Sequence, residues 1–299
     1  MNALVTLSSI FEQRIIRIPD YQRGYAWQDQ QLNDFWEDLI HLSPERVHYT
    51  GVLTLEPVEE ENWKRWENDL WIIEGKGYKP FYIVDGQQRL TTSVILIQAI
   101  LERVPNDAEL NFQTVDEIKQ KYVLHSATTG IRKSFLFGYE KDNPSDEFLR
   151  TNIFLEHSAS NNDEQTFYTQ NLSYAKDFFK KKLVSLSPEK IAEIFKKLTQ
   201  KFKFNLYEID AEIDVFVTFE TMNNRGKPLS NLELLKNRLI YLSTLFPKQS
   251  GSAELRNNIN LTWKTIYEYL GRNPEKLLSD EDFLRNHWIM YFKFTRQTG

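Results

Sequence analysis

The stretch FYIVDGQQRLTT, residues 81–92, sets an apolar run directly against Asp85, Gly86, Gln87, Gln88 and Arg89. Phe81, Tyr82, Ile83 and Val84 have strand composition, Asp-Gly is a turn signal, and Leu90 to Val104 has helical periodicity. A strand-to-helix turn aims backbone N–H groups and the positive end of the helix dipole at whatever lies above it, usually an anion. Arg89 falls in the first helical turn, where a cation costs roughly 0.3–1 kcal/mol unless an anion is shared. A jointly held phosphate would remove the conflict. The same residues equally allow a structural role, with Asp85 and Gln88 as a D-x-x-Q capping box and Arg89 paired to a carboxylate.

Two further turns repeat the combination of arginine with amide side chains: DYQRGYAW at 20–27 and MNNRG at 222–226. Guanidinium groups bind phosphate bidentately, and Gln or Asn can hold a water, a base edge or a metal-bound oxygen. Ser230 and Glu233 form an S-x-x-E capping box and Gly226 suits a helix C-terminus, which leaves Asn223, Arg225 and Lys236 without a structural explanation. The expectation is that the three turns converge on one cleft for a nucleoside triphosphate. Gly86, Arg89, Thr91, Thr92, Arg23, Asn223, Arg225 and Lys236 are its candidate ligands. Tyr21, Gln22, Tyr25 and Trp27 are candidates for gripping DNA or a modified base.

The elements that must position these turns are legible. Arg14 to Ile18 reads as a strand, and Leu32, Phe35, Trp36, Leu39 and Ile40 recur as the apolar face of a helix. Residues 49–57 alternate as a strand, 59–77 reads as a hairpin excursion, and 203–210 returns as a strand. Glu208, Asp210, Glu212 and Asp214 would line one strand face and invite a metal, but helical spacing from Glu212 breaks that alternation. Lysines from Lys176 to Lys203 lie on two helices joined at SLSPEK; such runs usually solvate helix faces, the alternative being a phosphate-binding surface. The segment EDFLRNHWIMYFKFTRQTG reads as an aromatic amphipathic helix in need of a partner surface.

Composition narrows the chemistry. With 299 residues, 41% hydrophobic and 26% charged, the chain can bury a sizeable core. No apolar run reaches the roughly 18 residues of a membrane span, so a cytoplasmic protein is expected. The absence of cysteine excludes disulfides, thiolate nucleophiles and cysteine zinc sites. A net charge of -5 argues against sequence-blind coating of DNA. The five histidines lack metal-ligand spacing, and no G-x-x-x-x-G-K-[ST], G-x-G-x-x-G or G-x-S-x-G motif occurs.

IPDYQRGYAW (18–27), YIVDGQQRLTT (82–92) and FETMNNRGKPLSNLELLK (219–236) resemble, in order and spacing, the N-terminal domain family of GmrSD-type, modification-dependent restriction enzymes and related phage-defence proteins. The resemblance spans roughly residues 7–290, with almost no contribution from 105–200. It implies an α+β, ParB/sulfiredoxin-like fold: a small mixed sheet with helices, plus a mainly helical insertion and C-terminal helices. The expected layout is a nucleotide-binding core at 1–104, a mainly helical insertion at 105–200, a return strand and helices at 201–245, and at 246–299 the start of a C-terminal helical region of a longer chain.

By the same resemblance Asp85, Gly86, Gln87, Gln88 and Arg89 bind and help hydrolyse a nucleoside triphosphate with Mg²⁺, Asp85 serving as metal ligand or as cap. Which of GTP, ATP, UTP or CTP is used stays open. Implied partners are DNA, in particular modified phage DNA, and a C-terminal or partner nuclease domain, with a homodimer left open. The nuclease's histidine motif is missing, since His287 is followed by Trp-Ile-Met, and Gly24 stands where the family more often has proline. Alternative readings are a nucleotide-gated DNA- or protein-binding module without significant hydrolysis, or a ParB-like nuclease.

Overall fold

The computed structural model describes residues 3–127, 130–140, 143–156, 166–209, 230–244, 251–271 and 278–292. Six strands form one mixed sheet: β1 (Ala3–Thr6), β2 (Arg14–Ile18), β3 (His48–Pro57), β4 (Lys79–Asp85), β9 (Phe137–Tyr139) and β10 (Phe202–Glu208), in the order β1-β10-β3-β4-β2-β9. β2 runs parallel to both β4 and β9, β3 is antiparallel to β4 and parallel to β10, and β1 closes the edge antiparallel to β10. The fold is therefore α+β. Four of these strands match the apolar runs and alternations of the sequence.

Helix α5 (Gln87–Arg103) leaves β4 through Gly86 and is buried along nearly its whole length, from Leu90 to Leu101. It packs on α6 (Val115–Tyr122), α8 (Phe167–Val184) and α9 (Pro188–Lys196). An all-round apolar helix belongs inside, and two of its hydroxyls are satisfied locally: Thr92 and Ser93 donate to the Gln88 and Arg89 carbonyls at 2.8 Å each. Helix α2 (Asp29–His41) buries Leu32, Phe35, Trp36 and Leu39, the face read from the sequence except for Ile40, which is only partly buried.

Two expectations are corrected, and a third region, 105–200, is mainly helical as expected but carries short strands as well. Residues 59–77 are not a hairpin but two short helices, α3 (Glu60–Trp63) and α4 (Leu70–Lys76), because Ile72 and Ile73 enter the core with Trp63, Trp66 and Trp71 packed against it. The lysine run is structural in good part. Lys176 is buried and paired with Glu102 at 2.7 Å, Lys180 reaches the same carboxylate at 2.7 Å, and Lys190 and Lys197 share Glu193. The region expected as a mainly helical insertion also contributes strands: the ladders β5 (Glu109–Leu110) with β6 (Gln113–Thr114) and β7 (Leu124–Ser126) with β8 (Lys133–Phe135), and β9 of the main sheet.

Two apolar clusters result. The larger joins the sheet to α2, α5, α8 and α9. The smaller gathers Tyr21, Val84 and Tyr168 with Leu232 and Ile240 of α10 (Asn231–Thr244) and Ile259, Trp263 and Tyr267 of α11 (Ser252–Gly271). Helix α12 (Asp280–Tyr291) touches that cluster through Phe283 and Leu284, while Trp288, Met290 and Tyr291 stay exposed. Among the described residues no helix is long and apolar enough to cross a membrane.

Candidate functional site

The turn from β4 to α5 depends on Gly86. Its φ of 91° lies in the left-handed region, and a Cβ there would come within 2.9 Å of the Val52 carbonyl oxygen. Asp85 does not form the capping box with Gln88: its Oδ1 accepts from Gly86 N at 2.7 Å. Gln88 turns away instead, accepting from Ala26 N at 2.8 Å and donating to Gly24 O at 3.0 Å. Its amide is thereby consumed in tying the second turn to the first.

Gln87 and Arg89 differ. Gln87 is 6% exposed, and its Oε1 has no partner among the described residues. Arg89 donates to Val52 O at 2.7 Å and lies 3.9 Å from the Asp85 carboxylate, while its Nε is buried without a partner among the described residues. The capping-box reading of Asp85 and Gln88 therefore fails, and the carboxylate pairing of Arg89 holds only at long range. Buried polar groups are nearly always satisfied, so the unpartnered acceptor and guanidinium N–H within one helical turn are what the packing of this turn leaves unexplained among the described residues.

The loop 20–27 lies against the turn. Gln22 is buried and donates from Nε2 to Val84 O at 2.6 Å. Tyr25 is fully buried, pairs its hydroxyl with Thr92 Oγ1 at 2.7 Å, and is pushed well above the usual tyrosine range by burial despite that bond. Tyr25 is thus a core residue. The same holds for Thr91 and Thr92, at 1% and 0% exposure, so the candidate ligands in this helix narrow to its first turn. Trp27 packs edge-on against Phe35. Of the four residues expected to grip DNA, Trp27 is partly exposed, Tyr21 and Gln22 are buried but line the cleft beside the loop, and Tyr25 is enclosed.

That cleft is narrow, with about 40 Å³ of room between the loop 20–24, Tyr168 of α8, and helices α10 and α11. Arg23 lines it 3.7 Å from Glu233, whose other oxygen accepts from the Tyr168 hydroxyl at 2.6 Å. Lys236 lines it too and donates to the Asp20 carbonyl. The Tyr168 hydroxyl is pushed far up by burial and by the Glu233 charge beside it, so it remains a proton donor. Asp85 to Arg89 do not line the cleft; they sit behind it, joined through Gln22 and Gln88.

The first two turns touch each other through Gln22 and Gln88, but they do not open onto one cleft, since only the loop 20–24 lines it. Of the third, Glu233 and Lys236 arrive at the cleft, while Asn223 and Arg225 lie outside the described residues. The Ser230 and Glu233 capping box forms as read, with Ser230 N donating to Glu233 at 2.8 Å. Spacing gave no sign that Glu233 would also hold Tyr168 and Arg23, nor of Glu140, which accepts from the Tyr82 hydroxyl and from Asp20 N. Gly24 has a steric reason to lack a side chain: a Cβ there would lie 2.3 Å from the Tyr168 ring. Among the described residues no group of three or more His, Asp or Glu side chains could enclose a metal ion.

Compared with known proteins, the chain matches the family described as GmrSD restriction endonuclease, N-terminal domain, over residues 7–240. No curated protein matches it.

Proposed function

The chain belongs to the family of GmrSD restriction endonuclease N-terminal domains, and we propose that it binds and hydrolyses a nucleoside triphosphate as the sensor module of a DNA-modification-dependent restriction system. The observation that carries this reading is the first turn of α5, where Arg89 Nε and Gln87 Oε1 are buried without partners beside a helix N-terminus. A phosphate above the turn would meet the backbone N–H groups and the guanidinium together, removing the dipole conflict of Arg89. Gln87 Oε1 is an acceptor only, which suits holding a water rather than a phosphate oxygen. Gln88, with its amide committed, serves as a positioning residue.

Asp85 would hold Mg²⁺ here. A single carboxylate suffices for that ion, which keeps waters and takes further oxygens from the phosphates, and when bound it would neutralise phosphate charge. Arg23 and Lys236 stand one layer away, at the cleft, as groups that can reach a substrate extending there. DNA, modified phage DNA in particular, is the proposed signal, and a nuclease domain the proposed effector. Tyr21, Gln22 and Trp27 are the remaining candidates for contacting DNA, Trp27 because it is partly exposed and Gln22 because it links the cleft to β4.

The test is phosphate release from each of ATP, GTP, CTP and UTP with Mg²⁺, with and without modified and unmodified DNA, for wild type and Arg89→Ala. Turnover that falls at least 100-fold in a folded Arg89→Ala protein is expected, by the usual cost of removing a charge-stabilising group. No turnover with any nucleotide would overturn hydrolysis and favour a nucleotide-gated binding module.

A further inference from the structure

The cleft behind the loop 20–24 carries hydrogen-bonding capacity that the protein does not spend. Asn237 on α10 is 5% exposed, and its Nδ2 has no acceptor among the described residues. Asn260 on α11 donates from Nδ2 to the Asp20 carboxylate at 2.6 Å. A carboxylate only accepts, so this bond fixes the amide's orientation and leaves Oδ1 as the acceptor. That oxygen is buried and has no donor among the described residues. An unspent amide donor and an unspent amide acceptor therefore line a single cleft, together with the Tyr267 hydroxyl, which also has no hydrogen-bond partner among the described residues.

The walls are aromatic and held in place. The rings of Tyr168 and Tyr267 meet edge-on at 4.9 Å, and Trp263 is fixed by its Nε1–H donated to Leu232 O at 3.2 Å. A simple anion could use Arg23, Lys236 and Lys264 in the lining but would leave Asn260 Oδ1 without a donor, and a hydrocarbon would leave both Asn237 Nδ2 and Asn260 Oδ1 unpaired at about 1–3 kcal/mol each. A planar heterocycle with neighbouring acceptor and donor atoms on its edge satisfies both while lying against rings. We infer that this cleft is a nucleobase pocket, reading the base of the nucleotide through Asn237 and Asn260. The inference rests on the nucleotide reading above. Gln22 supplies the continuity, lining the cleft while its amide is bonded one residue before the phosphate turn.

The test is calorimetric titration of the whole chain with the four nucleoside triphosphates, the four nucleosides, inorganic tripolyphosphate, ribose and a short single-stranded oligonucleotide, repeated for Asn237→Ala, Asn237→Asp and Asn260→Ala. The expected result is a preference among nucleosides, weakened roughly 3- to 10-fold by each alanine variant, with tripolyphosphate binding unchanged. Asn237→Asp, which turns a donor into an acceptor, should reorder the preference. Asn260 is only partly buried and provides the folded variant if Asn237→Ala does not fold.

Wild type that binds no nucleoside, binding indifferent to the asparagine variants, or ribose binding as well as a nucleoside would each overturn the pocket. An effect of the variants on the oligonucleotide alone would overturn the free nucleotide as the source of the base. Nucleoside binding without any turnover would uphold the pocket and overturn hydrolysis, whereas turnover with variant-insensitive binding would do the reverse.

Discussion

Gln87 and Gln88 are adjacent and alike, and the fold gives them opposite tasks. Gln88 satisfies Ala26 N and Gly24 O, so Gln88→Ala strands two backbone groups and should cost about 2 kcal/mol in urea denaturation. Gln87 Oε1 satisfies nothing, so Gln87→Ala should cost clearly less stability than Gln88→Ala while lowering turnover. Gly86→Ala forces a side chain into a left-handed conformation against Val52 O, and roughly 2 kcal/mol of destabilisation is expected from melting experiments. The motif itself was readable at this scale, as were its turn and the helix behind it. The division of labour between the glutamines was not, because the partners of Gln88 lie more than 60 residues away in sequence and come near only when the loop 20–27 packs on the turn.

Between elements, the joint that holds α5 to α8 is Glu102 with Lys176 and Lys180. Burial pushes the Glu102 carboxyl up, but the hydrogen bonds from Lys176 and Lys180 outweigh it and leave the group below its ordinary value of 4.5. A carboxyl depressed on folding stabilises above its unfolded value and loses that contribution as pH falls through the lower folded one. Glu102→Gln should therefore destabilise by about 1–3 kcal/mol at neutral pH and converge with wild type below pH 4.5, as read by urea midpoints. From sequence these lysines were solvated helix faces or a phosphate surface. Only the packing of two helices against each other shows that Lys176 points inward. Contact between α8 and the loop 20–24 also accounts for Gly24, and Gly24→Pro should lower the melting temperature by several degrees, since the Tyr168 ring occupies the space a Cβ needs.

Across the whole molecule, residues 105–200 give β9 to the sheet, where Ile16, Arg17 and Ile18 of β2 pair with Phe137, Gly138 and Tyr139, and give α8 to cover α5. Deleting 105–200 should leave an unfolded or insoluble chain by circular dichroism, because β2 would lose a neighbour and the apolar surface of α5 would face water. The α+β class came from the family resemblance, whereas the sequence by itself determined β2, β3, β4 and β10, the helix after DGQQR, the Ser230 cap and the first-turn arginine. All of these follow from local periodicity, turn chemistry or short-range hydrogen bonding. It also carried the order of motifs that the family match bears out over residues 7–240. Tertiary structure alone decided that Tyr25, Thr91 and Thr92 are core, that Trp-rich 59–77 is helical, and that Asn237 Nδ2 and Asn260 Oδ1 come to one cleft without partners among the described residues. Burial and hydrogen-bond satisfaction are properties of surfaces brought together from distant parts of the chain, and no window of sequence contains both sides.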